Sequence, residues 1–166
     1  MQFLNRILQM ITRPAPSILD PVFGEMTWHL GSWVAYVSFP HAREPVEVSV
    51  WGKEVPSAFQ QAVFQKLLQR YAEIEPSIEQ ALFDEFELAL GSDDSMDVDD
   101  RYFADEYRPQ STGEVWRIAH PVSIDVYPAG FSPEYDCRIY YAFPVDREHN
   151  RSLFLWDGKL VLVAPE

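Results

Sequence analysis

At Pro56 the spacing of apolar residues changes from two to nearly four, which limits the chain to folds with a block of strands, then helix, then more strands. Before that point Trp33, Ala35, Val37 and Phe39 share one side of an extended segment. Val46, Val48 and Val50 alternate with Glu47 and Ser49, the pattern of a half-buried strand. With "FGEMTW" at 23–28, these segments predict a small β meander in the first third. After it, "PSAFQ" at 56–60 and "PSIEQ" at 76–80 both match a Ser-x-x-Gln capping box, in which the serine oxygen accepts from an amide and the glutamine reaches back. The pattern therefore predicts two helices. Phe59, Val63, Leu67 and Tyr71 share a face of the first; Ile78, Leu82, Phe86 and Ala89–Leu90 share a face of the second, which Gly91 ends. A short link at Glu75-Pro76 would make them an antiparallel pair.

The remainder is strand-like: "EVWRIA", "VSIDVY", "CRIYYAF", "SLFLW" and "KLVLVA", with Asp157-Gly158 as a two-residue hairpin turn that accepts positive φ. Strands in blocks around a helix pair predict an α+β fold, an antiparallel sheet covered on one face by a central antiparallel helix pair. At 166 residues and 47% hydrophobic content the chain can bury a sizeable core. Residues 1–16 read as a short amphipathic helix, with Phe3, Leu4, Ile7, Leu8 and Ile11 on one face, and a proline linker; residues 17–166 read as a single domain. Asn5, Arg6 and Gln9 interrupt the apolar run that an export signal needs. No stretch is long enough for a membrane span. The single cysteine, Cys137, excludes an intrachain disulfide framework and fits a reducing cytoplasm.

The net charge of −13 is concentrated. Residues 73–107 hold one basic residue against thirteen acidic ones, and "SDDSMDVDDRYFADEY" at 92–107 supplies seven of those thirteen. Such a field disfavours nucleic acid and anionic membranes and speeds the approach of a basic partner. Asp93, Ser95, Asp97 and Asp99 alternate as the first ligands of a calcium loop do. Val98, however, stands where that loop needs glycine, and Ala104 where it needs a closing glutamate. A solvated acidic loop is the plainer alternative.

No motif announces catalysis, a cofactor or a metal. Cys137 falls in register with Ile139, Tyr141 and Phe143, so it reads as a buried structural residue. His29, His41, His120 and His149 lack the spacing that would bring two imidazoles together on a helix. Asp146, Glu148 and His149 form the one local cluster with ligand-type side chains. It reads as a surface turn, and an enzyme built on it would need convergence with His120.

The segment "DPVFGEMTW" at 20–28, with the Trp-led strand at Trp33, and the ending "DREHNRSLFLWDGKL" at 146–160 resemble a group of small bacterial domains grouped as families of unknown function. The resemblance covers most of residues 20–163 and leaves out the N-terminal helix. It implies an immunity protein, the inhibitor encoded beside a toxin. The charge reading agrees in favouring a basic partner, and the expectation from the two together is a cytosolic protein, not an enzyme, that neutralises a cognate basic toxin through its acidic surface. The expected contacts are Asp93, Asp94, Asp97, Asp99, Asp100, Asp105 and Glu106, with Tyr102, Phe103 and Tyr107 as aromatic anchors. An adaptor or chaperone-like module for a secreted effector is the alternative, as is a calcium-binding or unrecognised enzyme domain.

Overall fold

A computed structural model describes residues 15–91, 108–142 and 151–165. Among these residues eight strands form one sheet in chain order: β1 Ser17–Asp20, β2 Gly24–His29, β3 Ser32–Val37, β4 Val46–Trp51, β5 His120–Val126, β6 Cys137–Ala142, β7 Arg151–Trp156 and β8 Lys159–Pro165. Neighbours pair antiparallel except β4 and β5, which run parallel. The sheet is thus two four-stranded meanders joined along one parallel seam. A parallel join needs a long crossover, and this one contains the helix α1, Ala58–Gly91.

The expected antiparallel helix pair and wholly antiparallel sheet are therefore wrong. Residues 58–91 form one continuous helix with Pro76 inside it. Proline there removes a backbone hydrogen bond and crowds the carbonyl four residues back, at about 3 kcal/mol. The buried stripe outweighs that cost. Phe64, Leu67, Tyr71, Ile74, Ile78, Leu82 and Phe86 recur at three and four residues without a change of phase at Pro76, and all seven are buried. At about 1.5–3 kcal/mol for each such side chain, burial exceeds the proline penalty several-fold. Pro76 and Ala72 are exposed, so water can serve the carbonyl that the proline leaves without a partner.

The first capping box forms and the second does not. The Gln60 amide donates to Ser57 Oγ (3.3 Å), and Gln60 Oε1 accepts from the Ser57 amide (3.1 Å). Gln60, not the predicted Phe59, faces inward: Phe59 is 39% exposed and Gln60 is buried. Its Nε2 donates to the carbonyls of Trp51 (2.8 Å) and Val126 (3.4 Å), fixing the helix start to the ends of the parallel strands. Ser77-x-x-Gln80 lies in mid-helix, where Gln80 donates to Asp84 instead.

"EVWRIA" is a second correction, since Thr112–Arg117 is a 3-10 helix. Its buried residues Val115, Ile118 and Ala119 recur at about three, not two. Trp116 Nε1 donates to Glu79 (2.7 Å) and the ring lies flat on His41 at 4.0 Å. His41 Nε2 is 2.6 Å from Glu75 Oε1, so the β3–β4 loop, the 3-10 helix and α1 are tied together. His41 takes φ +60° as the third residue of the Phe39–Ala42 turn, closed by the Ala42 amide on the Phe39 carbonyl.

Candidate functional site

The ten residues expected to meet a partner, Asp93, Asp94, Asp97, Asp99, Asp100, Tyr102, Phe103, Asp105, Glu106 and Tyr107, lie outside the described residues. So do Asp146, Glu148 and His149, and residues 1–14. What is described is the helical half of the acidic segment, and every one of its carboxylates has a donor. Glu73 pairs with Arg70 (2.9 Å), Glu85 with Arg151 (3.0 Å), Glu87 with Arg108 (2.7 Å) and Glu75 with His41 (2.6 Å). Glu79 accepts from Trp116 and Asp84 from Gln80. The Glu85–Arg151 pair is largely buried, where a lost partner is costly. Glu75, Glu79, Glu85 and Glu87 anchor α1 to the rest of the domain, whereas Glu73 and Asp84 are paired within the helix.

Cys137 is buried in the core as its register predicts, and burial pushes its thiol well above the ordinary range, which keeps it unreactive. His120 begins β5; burial and then Arg43 hold its pKa below the ordinary imidazole value. Among the described residues no group of three or more His, Cys, Asp and Glu could hold a metal ion.

Strand alternation puts one row of side chains toward α1 and the other on the opposite face of the sheet. Val46, Val48 and Val50 face α1 and are buried. Glu47, Ser49 and Trp51 therefore lie on the other side, which no described element covers. Register builds that open face across the seam. Glu47 sits between Tyr36 and Ser123, and Ser49 between Val34 and Asp125; Asp125 then lies beside Arg138, and Arg138 beside Phe154.

The two meanders carry different surfaces. On the second, Asp125 is buried and its Oδ2 accepts from Arg138 (2.8 Å), Tyr127 (3.1 Å) and Tyr140 (3.1 Å). The Arg138 guanidinium lies 4.2 Å from the Tyr140 ring centre, and Phe131 stacks on Tyr127 at 4.4 Å. The charge of Asp125 is thus neutralised within the patch. On the first, Phe23, Gly24, Glu25, Thr27, His29, Val34, Tyr36 and Glu47 line a groove of about 650 Å³. Glu47 accepts from the Tyr36 hydroxyl (3.2 Å) and from Ser49 Oγ (3.4 Å), and the carboxylate raises the Tyr36 pKa. Both donors are neutral. Tyr36 is 67% exposed, and Trp51, next along β4 from Ser49 and Val50, is 40% exposed.

Glu25, Tyr36 and Glu47 were not singled out by sequence reasoning. The signal was present for Glu47, a charged residue alternating with three valines. What local alternation does not carry is which strands adjoin. No family model, curated protein or solved structure matches the chain.

Proposed function

We propose that this chain is a binding protein, not an enzyme, that neutralises a cognate basic toxin in the way an immunity protein does. The observation that carries the reading is the division of labour within the acidic segment. The six carboxylates on α1 each have a donor within the domain. The other seven, at Asp93, Asp94, Asp97, Asp99, Asp100, Asp105 and Glu106, fall in sixteen consecutive residues with Arg101 as the sole Lys or Arg. A concentrated anionic segment accelerates encounter with a basic surface, and aromatic neighbours such as Tyr102, Phe103 and Tyr107 supply contact energy. The cytoplasm, where a toxin acting on nucleic acid would do its damage, is the compartment this reading assigns. Among the described residues no helix is long and apolar enough to cross a membrane.

The test is co-purification followed by co-expression. A tagged copy should retain one basic chain that is toxic when expressed alone and harmless beside this protein. A retained chain whose activity survives in the complex would make this protein an adaptor or chaperone, and a retained chain with no toxicity would overturn the immunity reading.

A further inference from the structure

In the groove on the open face of the first meander, Glu25 and Glu47 share a lining that holds no lysine or arginine. Elsewhere Glu73, Glu85, Glu87, Asp125 and Asp157 all pair with a lysine or arginine of the chain. The Glu25 side chain makes no hydrogen bond or ion pair with the described residues. Glu47 has two neutral hydroxyls. The lining supplies the other parts of a recognition site: an apolar wall from Val34 and the exposed ring of Tyr36. Its volume of about 650 Å³ lies in the range typical of ligand sites, about 300–1,000 Å³.

We propose that this groove receives an arginine side chain of a basic polypeptide, laid across the open face of β2, β3 and β4. The inference rests on the reading of the chain as a binder of a basic protein and adds to it a second contact surface, separate from residues 92–107. Charge complementarity selects a cation. The geometry selects arginine over lysine: a planar guanidinium can bridge two carboxylates and lie on a tyrosine ring, and it is desolvated more readily than an ammonium. Its aliphatic stem would rest on Val34. Trp51, four residues farther along the same face of β4, offers a ring for a residue about four positions on in the segment.

The experiment is a titration of the uniformly ¹⁵N-labelled full chain, followed by amide chemical shifts, with three synthetic peptides. One carries two arginines, the second two lysines and the third two citrullines, which are neutral and nearly isosteric with arginine. The arginine peptide should shift the amides of Glu25, Thr27, His29, Val34, Tyr36 and Glu47. It should bind several-fold tighter than the lysine peptide, and the citrulline peptide should not bind. E25Q/E47Q should weaken the arginine peptide about tenfold, near the value of one charge-assisted hydrogen bond. E25Q alone, at a side chain with no hydrogen bond to the described residues, provides the same test with the fold left intact and should weaken it several-fold. Shifts confined to residues 92–107 would overturn the groove and leave the partner reading standing. Equal binding of the citrulline peptide, unchanged affinity in both variants, or no shifts with any peptide would also overturn the groove. In those cases the partner reading is judged by its own co-expression test.

Discussion

Single residues in this chain carry distinct structural jobs, and several were visible before the fold was. Asp157-Gly158 reads as a hairpin turn, and both residues have positive φ, +52° and +69°. A Cβ at Gly158 would stand 3.2 Å from Lys66 Cγ, so Gly158→Ala should cost about 1–2 kcal/mol in urea unfolding, from the left-handed backbone and the displaced lysine. Asp20 in "DPVFG" turns out to shape the β1–β2 loop: Oδ1 accepts from the Val22 and Phe23 amides, and Oδ2 from Gln61 on α1. Asp136 was not foreseen. It is buried, and its Oδ2 accepts from the Asp157 amide, yet burial outweighs that bond and raises its pKa. A carboxylate whose folded pKa is raised contributes stability below its unfolded value, near 4, and loses that contribution as pH climbs through the folded value. Asp136→Asn, which keeps an acceptor for the Asp157 amide, should therefore raise Tm at pH 7–8 relative to the parent. That advantage should vanish near pH 3. An unchanged difference across this range would show that the charge of Asp136 carries no penalty.

The helix is the element at which local signals and tertiary packing disagree. Glu75-Pro76 followed by Ser77-x-x-Gln80 has every local mark of a turn and a new helix start. The contradiction lies in the longer pattern, where Tyr71, Ile74, Ile78 and Leu82 hold one phase across the proline. A stripe that long needs a broad sheet to bury it, and the sheet becomes broad enough only when β5 aligns beside β4, more than sixty residues on in the chain. Pro76→Ala separates the two readings. In a continuous helix it should stabilise the domain by about 1–3 kcal/mol in denaturant unfolding, because an exposed interior proline is lost. At a turn between two helices it would be neutral or destabilising. Leu82→Ala, at a fully buried position of the same stripe, should cost about 2–5 kcal/mol. The 3-10 helix teaches the same lesson on a smaller scale: "EVWRIA" has strand-forming residues, but its buried members are spaced by three.

At the scale of the whole molecule, two meanders share a seam, one face is filled by α1, and the other has no described cover. The sequence held the strand blocks and their inward faces. It did not reveal the parallel seam, since β4 and β5 meet only after a long crossover, and so it could not show which polar residues would share the open face. Charge was legible as an amount and a location in the chain. Its use was not, because pairing of the α1 carboxylates depends on partners such as His41, Arg108 and Arg151, distant in sequence. On the proposed reading, the helical acids serve the fold and the remaining seven meet a basic partner. The most direct test of that reading is the association rate of the co-purified basic protein as ionic strength is raised. That rate should be compared with the rate for a variant in which Asp93, Asp94, Asp97, Asp99, Asp100, Asp105 and Glu106 are replaced by Asn or Gln. The parent should associate at least about tenfold faster at low salt and lose that advantage as salt screens the field; equal rates and equal salt dependence in the two proteins would contradict it.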